Sequence, residues 1–285
     1  MEILIPFLWF ALLGGILGLL LAIASKLFAV KVDERVPQII EHLPGANCGG
    51  CGYAGCSAYA EAVVKGEAAV SCCTVGGGET ATAIAEIMGV EAPTNVVRLR
   101  AQVMCSGTRE FTKKKYAYEG IFDCNAAARI GGGDKLCPNG CIGLGSCVDA
   151  CPCGAIKVVD GVAVVDYMLC IGCGVCTTAC PKNLIRLIPF ASRHWVGCMS
   201  VDKGAAVRSY CDVGCIGCKL CERACESGAI KVEEMHAVID YDKCTACDKC
   251  VEKCPRKIIW SAEAQGEWGL AITREYLAKG SSKQQ

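Results

Sequence analysis

Cysteines dominate the residues of this chain that could do chemistry: there are 26 of them in 285 residues. Two runs, which begin at Cys170 and Cys244, have the spacing Cys-x2-Cys-x2-Cys-x3-Cys-Pro. A third run, from Cys215, carries Glu226 in place of the proline. Thiolates at this spacing are typical ligands of [4Fe–4S] clusters. Because a cluster closed by four thiolates has no open coordination site, the runs predict electron transfer rather than substrate binding.

These runs belong to an internal repeat with a constant offset of 74 residues. Nine cysteines of the first copy, Cys124, Cys137, Cys141, Cys147, Cys151, Cys170, Cys173, Cys176 and Cys180, correspond to Cys198, Cys211, Cys215, Cys221, Cys225, Cys244, Cys247, Cys250 and Cys254. Residues 154–158 match 228–232, and residues 163–167 resemble 237–241; their alternation predicts short paired strands. The repeat therefore predicts two tandem ferredoxin-like modules with two clusters each.

In such runs the fourth cysteine reaches across to the neighbouring cluster. This crossing rule predicts two ligand sets in the second module. One consists of Cys215, Cys218, Cys221 and Cys254, and the other of Cys225, Cys244, Cys247 and Cys250.

The same rule leaves one vacancy in the first module. Its complete set is Cys151, Cys170, Cys173 and Cys176. The other set contains Cys141, Cys147 and Cys180, but Leu144 stands where the second ligand would be. We predict that Cys137, four residues before Cys141, supplies the missing thiolate. A three-cysteine [3Fe–4S] cluster is the alternative.

A further cysteine group lies nearer the N-terminus. Cys48, Cys51 and Cys56 are separated by glycines that allow tight turns, so three thiolates can surround a cluster from one side. Cys72 and Cys73 are both available as the fourth ligand. A structural zinc site is the alternative, since four-cysteine sets of this spacing also bind zinc.

The N-terminal segment predicts a membrane anchor. Residues 3–24 carry no charge and exceed the roughly 20 residues that cross a bilayer as a helix. A cleaved secretory signal is the alternative, but the apolar run is long and no basic stretch precedes it. Lys26, Lys31 and Arg35 follow the span and only Glu2 precedes it, so the remainder is expected on the cytoplasmic side. That side is reducing, which disfavours disulfides.

Together these features predict an α+β chain in five parts. They are a transmembrane anchor at 1–30, a small [4Fe–4S] domain at 31–95, ferredoxin-like modules at 96–190 and 191–260, and a tail at 261–285. Five [4Fe–4S] clusters use 20 cysteines and leave Cys72, Cys105, Cys124, Cys153, Cys198 and Cys211. These are either free thiols or, for some of Cys105, Cys124, Cys198 and Cys211, ligands of a sixth cluster.

This order of parts resembles the B subunit of the Rnf electron-transport complex, in its long polyferredoxin form. The resemblance extends from the first residue to about Trp260. It implies that Cys48, Cys51, Cys56 and Cys73 bind a membrane-proximal cluster. Where that family has Cys-Pro in this distal segment, the present chain has Cys73-Thr74.

The resemblance also implies a role and partners. Reduced ferredoxin would donate electrons, and membrane flavin and iron–sulfur subunits would accept them for NAD⁺ reduction coupled to Na⁺ or H⁺ translocation. The chain would be a subunit of this ion-translocating oxidoreductase in the cytoplasmic membrane, with no complete active site of its own. Equal numbers of basic and acidic residues, 29 each, argue against a nucleic-acid partner.

Three other functions fit parts of the pattern. One is an electron-feeding subunit of a related complex that reduces a redox regulator. The second is an iron–sulfur redox sensor, although no effector domain is visible after Trp260. The third is a structural zinc protein, which metal analysis would distinguish because five [4Fe–4S] clusters predict about 20 iron atoms per chain.

Overall fold

The computed structural model describes residues 4–27, 33–93 and 96–261. The predicted C-terminal tail lies outside these ranges except for Ser261. Within them the helices are α1 (Leu4–Leu27), α2 (Arg35–His42), α3 (Cys56–Val64), α4 (Gly77–Met88), α5 (Cys124–Arg129), α6 (Ser146–Asp149), α7 (Val175–Ala179), α8 (Gly204–Tyr210), α9 (Leu220–Ala224) and α10 (Lys249–Lys253). The strands are β1 (Leu99–Val103), β2 (Ile156–Val159), β3 (Val162–Val165), β4 (Ile185–Pro189), β5 (His194–Val196), β6 (Ile230–Glu233), β7 (His236–Ile239) and β8 (Ile259–Ser261).

Helix α1 consists almost entirely of apolar residues. Every side chain from Trp9 to Ile23 is exposed, including Phe10, which is 77% exposed. Among the described residues, no helix combines the length and the hydropathy of a candidate membrane span.

Helices α2, α3 and α4 form a small N-terminal unit. Ile39, Tyr59 and Ile84, one from each helix, are completely buried and form the centre of its core. The Tyr59 hydroxyl donates a hydrogen bond to the Ala69 carbonyl at 2.8 Å, which satisfies the one polar atom of that side chain.

The two modules repeat the same strand arrangement. In the first, β2 pairs with β3 as an antiparallel hairpin, and β1 pairs with β4. In the second, β6 pairs with β7, and β5 pairs with β8. Apolar side chains of the strands form both cores, with Ile156 and Ile185 in the first and their repeat mates Ile230 and Ile259 in the second. The predicted paired strands are confirmed.

Backbone hydrogen bonds join the two modules directly. The N–H of Ser106, which follows β1, donates to the carbonyl of Gly197, which follows β5, at 2.8 Å. Nearby, Thr112 and Cys211 form an isolated antiparallel bridge. The segments after β1 and β5 therefore meet at the junction of the modules, and each carries a cysteine there.

Candidate iron–sulfur sites

Both predicted cysteine sets of the second module converge on cavities. Cys215, Cys218, Cys221 and Cys254 line one cavity of about 340 Å³. A second cavity of about 340 Å³ is lined by Cys225, Cys244, Cys247 and Cys250. Each cavity thus receives three cysteines from one run and a fourth from the other, as the crossing rule predicts.

The backbone of the cysteine loops explains this convergence. Residues two and four positions after the first cysteine have positive φ in every run, as at Gly172 (71°) and Gly174 (78°). In the last run the same two positions are Ala246 (54°) and Asp248 (60°). Left-handed residues curl the chain tightly, and three closely spaced side chains then face one side. At Gly172 the close approach of the Leu99 carbonyl also leaves no room for a Cβ.

In the first module, Cys151, Cys170, Cys173 and Cys176 are also neighbours. Burial, and then the nearby thiols of Cys170, Cys173 and Cys151, raise the pKa of Cys176 to about 12. The Ala101 N–H in β1 donates to Cys170 Sγ at 3.3 Å, and the Ala155 N–H donates to Cys151 Sγ at the same distance. Hydrogen bonds of this kind to ligand sulfurs are characteristic of iron–sulfur sites.

The remaining set of the first module has a different member from the one predicted. Cys141, Cys147 and Cys180 line a cavity of about 350 Å³ together with Cys124, and Cys137 is not part of its lining. The geometry therefore brings Cys124, and not Cys137, beside these three cysteines. Leu144, at the vacant ligand position, is partly buried and packs against the cluster of Cys124, Ala127 and Ile142.

Cys124 is held in place by the start of α5. The Asp123 carboxylate caps the helix by accepting from the Ala126 N–H at 2.7 Å. It also accepts from the Ser146 hydroxyl at 2.8 Å, and Ser146 Oγ in turn accepts from the Cys124 N–H at 2.7 Å. The sequence did not place Cys124 beside Cys141, Cys147 and Cys180. Its position in this cavity depends on the tertiary contact with Ser146, and no short spacing relates it to Cys141.

The N-terminal unit brings its cysteines together at the ends of its helices. Burial raises the pKa of Cys73, and the neighbouring thiols of Cys51 and Cys56 act in the same direction. The Gly76 N–H donates to Cys73 Sγ at 3.4 Å. Asn47 Oδ1 accepts from the Cys56 N–H at 2.9 Å, which fixes the first turn of the loop.

This N-terminal set lies against the first module. The thiol of Cys48 is close enough to affect the pKa of Cys173, which is raised mainly by burial. At the same contact, a Cβ added to Gly50 would overlap the backbone carbonyl of Cys173. The glycine permits this close backbone approach.

A further cavity of about 380 Å³ lies at the junction of the two modules. Its lining contains four cysteines, Cys105, Cys137, Cys198 and Cys211. Two of them come from the first module and two from the second. Of the six cysteines that the sequence left unassigned, Cys72 and Cys153 line none of these four cavities.

Buried cysteine thiols suit the cationic core of an iron–sulfur cluster. Burial raises the pKa of Cys147 and Cys221 to about 12, so an uncompensated thiolate is disfavoured there, and the positive charge of iron would compensate it. Cys225 differs, because hydrogen bonds from Ser227 and from backbone N–H groups outweigh burial and lower its pKa. All 26 cysteines are free. In the described ranges, no three His, Cys, Asp or Glu side chains are grouped for a single metal ion.

Family models of iron–sulfur domains match three segments of the chain. Residues 43–75 match the family described as "Putative Fe-S cluster", which covers Cys48, Cys51, Cys56, Cys72 and Cys73. Residues 163–186 match a 4Fe-4S binding domain. Residues 214–258 match a 4Fe-4S dicluster domain, which includes both sets of the second module.

Whole-chain relatives are similar over most of their length. The B subunit of the Na⁺-translocating ferredoxin:NAD⁺ oxidoreductase complex of Acetobacterium woodii is 46% identical over 90% of this chain and 78% of the relative. The B subunit of the ion-translocating oxidoreductase complex of Methanosarcina acetivorans is 44% identical over 87% of this chain and 94% of the relative. The B subunit of the proton-translocating ferredoxin:NAD⁺ oxidoreductase complex of Clostridium ljungdahlii is 46% identical over 86% of this chain and 87% of the relative.

Proposed function

Because this chain belongs to the Rnf family of ion-translocating oxidoreductase B subunits, we propose that it is the subunit through which electrons of reduced ferredoxin enter such a complex. Membrane flavin and iron–sulfur subunits are the acceptors, and NAD⁺ reduction drives the translocation of Na⁺ or H⁺. The observation that supports this role best is the convergence of cysteines from separate runs on common cavities. A [4Fe–4S] cluster bound by four thiolates accepts and donates single electrons.

We assign five ligand sets to this function. One is the set that the family resemblance implies: Cys48, Cys51, Cys56 and Cys73. Three are those predicted from the spacing: Cys151, Cys170, Cys173 and Cys176; Cys215, Cys218, Cys221 and Cys254; Cys225, Cys244, Cys247 and Cys250. The fifth is Cys141, Cys147 and Cys180 with Cys124 in place of Cys137. Cys73 is preferred to Cys72 because its thiol is a neighbour of both Cys51 and Cys56.

The chain's own residues supply the remaining requirements of a relay. Glycines such as Gly50 let the backbone of one set approach the next, which keeps neighbouring sets close. Backbone N–H groups, such as that of Ala101 to Cys170 Sγ, donate to sulfur and so favour its anionic form. Apolar strand residues pack against several cysteines of these sets, such as Cys176 and Cys221.

The test is the effect of single ligand substitutions in the anaerobically prepared membrane complex. Cys173→Ser and Cys247→Ser are expected to lower the iron content by up to about four atoms per chain, one cluster each. Both are expected to slow ferredoxin-dependent NAD⁺ reduction while the chain stays in the membrane. Cys153→Ser, at an exposed position outside every set, is the matched control. Unchanged iron and unchanged electron flow in both ligand variants would contradict the proposal.

We propose further that α1 anchors the chain in the cytoplasmic membrane as a single span, with all cysteine sets on the cytoplasmic side. The support is the uncharged segment 3–24 and the basic residues Lys26, Lys31 and Arg35 after it. Deletion of residues 1–30 is expected to release a soluble brown protein with its full iron content. A truncated protein that still sediments with membranes after a salt wash would refute the anchor.

A further inference from the structure

Cys105, Cys137, Cys198 and Cys211, here called the central set, have no place in the five ligand sets of the proposed function. The sequence offers no compact spacing for them, and no family match covers all four. The structure nevertheless brings all four to one cavity, as it does for each four-cysteine set of the second module. Such convergence from four separate segments requires an explanation.

The central set is built from two equivalent pairs. Cys137 and Cys211 are repeat mates, and each begins a Cys-x-x-Gly-Cys segment. Cys105 lies two residues after Val103 of β1, and Cys198 lies two residues after Val196 of β5. Val103 pairs with Ile185 in β4, and Val196 pairs with Ile259, the repeat mate of Ile185, in β8. Each module thus contributes two cysteines from equivalent positions of the fold, although the 74-residue offset matches Cys198 to Cys124 in the sequence.

Glycines lie beside several cysteines of the central set, where a larger side chain would crowd them. A Cβ added to Gly107 would lie 3.6 Å from Cys211 Sγ and 3.7 Å from Cys105 Sγ, so these two thiols border the same gap. Gly140 and Gly214, in the two Cys-x-x-Gly-Cys segments, similarly lie beside Cys137 and Cys211. The Thr112 hydroxyl is 3.9 Å from Cys211 Sγ and closes one side.

Basic side chains lie near this cavity, although none of them is part of its lining. Lys182 donates to the Pro138 carbonyl at 2.7 Å, and its repeat mate Arg256 donates to the Cys211 carbonyl at 2.6 Å. Lys135 is buried and donates to the Gly107 carbonyl at 2.7 Å. The Asp202 carboxylate also acts on Cys137, and it accepts from the Tyr210 hydroxyl at 2.6 Å. Arg256 is close enough to Cys211, and Lys182 to Cys137, for their charges to interact. These cations would partly offset the net charge of about −2 that the occupied site carries.

The central set also lies between the two modules' own sets. The Cys141 N–H donates to Cys105 Sγ at 3.4 Å. In the same manner, the Cys215 N–H donates to Cys198 Sγ. Cys141 belongs to a set of the first module and Cys215 to one of the second, so the central set connects them.

From these contacts we propose that Cys105, Cys137, Cys198 and Cys211 bind a sixth [4Fe–4S] cluster, which links the relays of the two modules. This inference rests on the proposed function for its role, but not for its ligand set. When a carrier that holds a [4Fe–4S]²⁺ cluster by four thiolates transfers it, four Fe–S bonds to the carrier break and four Fe–S bonds to the central set form. The four protons lost by the central thiols balance the four carrier thiolates that leave, and the electron count does not change. The six sets then use every cysteine except Cys72 and Cys153.

The first test is the iron and sulfide content of the full chain purified without oxygen. Six clusters predict about 24 iron and about 24 sulfide per chain, and five predict about 20 of each. A count near 20 overturns the sixth cluster and leaves the proposed function intact. A chain with one zinc beside about 20 iron also overturns it. An iron-free chain would instead refute the proposed function itself.

The second test locates the additional cluster. The double variant Cys137→Ala/Cys211→Ala removes one ligand from each module and is expected to lose about four iron atoms, with one fewer spin in the EPR spectrum of the fully reduced protein. Cys153→Ala is the control and should retain the wild-type count. A double variant that folds and keeps all of its iron overturns the assignment. If the double variant fails to fold, the iron count of the wild-type chain, about 24 or about 20, decides between six and five clusters.

Discussion

Gly50 offers a direct test of the contact between the N-terminal cysteine set and the first module. In Gly50→Ala the new Cβ would overlap the Cys173 carbonyl oxygen and lie 3.0 Å from the carbonyl carbon and 3.1 Å from Cα. Ordinary carbon contacts begin near 3.5 Å, so the two backbones must separate by up to about 1 Å. Gly50 has no positive φ, so this steric effect is the only one expected.

Overpacking of this kind costs about 1–3 kcal/mol. The ratio of docked to undocked N-terminal unit should therefore fall roughly 5- to 150-fold, since 1.4 kcal/mol corresponds to a factor of ten. Iron content should not change, because no ligand is altered. Amide hydrogen exchange around residues 49–52 and 173–175 is expected to accelerate, and magnetic coupling between the two clusters should weaken in the EPR spectrum.

The matched control is Gly78→Ala in α4, where the nearest atom to the added Cβ is 3.8 Å away. This substitution should stabilise the helix by roughly 0.5–1 kcal/mol and leave the contact with Cys173 unchanged. If Gly50→Ala exchanged its amides at the control rate with undiminished coupling, the close packing of the two sets would be refuted.

Three further predictions concern residues that support the sites. Lys135→Met leaves the carbonyls of Gly107 and Gly161, each bonded at 2.7 Å, without their donor, and should cost roughly 2–4 kcal/mol in anaerobic denaturation; unchanged stability would show that water replaces the amine. Lys219→Gly should stabilise by about 0.5–1 kcal/mol, because Lys219 has a φ of 57° that glycine adopts without strain; destabilisation would contradict this account. Hydrogen bonds from the Ala126 N–H and then Ser146 lower the pKa of Asp123, so its contribution to stability should be complete above the ordinary value of 3.8 and lost as pH falls through the lower folded-state pKa. Asp123→Asn should flatten the acid limb of the stability profile, and an unaltered limb would refute the linkage.

Cysteine spacing was sufficient to predict which cysteines line a common cavity where they belong to two neighbouring runs. The crossing rule gave both sets of the second module because Cys225 and Cys254 each end one run and enter the cavity of the other, as in the structure. The repeat likewise predicted the hairpins, since apolar residues at alternate positions recur in both copies. These are local features, determined by backbone turns and strand pairing.

The proposed exchange of Cys124 for Cys137 depends on tertiary contacts that spacing does not show. Cys137 was predicted because it is close in sequence to Cys141, whereas Cys124 reaches the same cavity through the capped start of α5. One observation pointed away from Cys137: its repeat mate Cys211 has no vacant ligand position to fill. Cys137 and Cys211 instead meet at the junction of the two modules. Spacing within one module does not reveal how the modules dock.

The shared construction of the central set has a consequence for biosynthesis. The ligands of both sets in the first module are complete once the ribosome has passed Cys180, and domains generally fold in the order in which they emerge. The central set must wait until Cys198 and Cys211 have been translated and their module has docked. Its cluster is therefore expected to be inserted late, and a nascent chain that stalls between the repeats should carry iron in its first module while Cys105 and Cys137 remain open to alkylation.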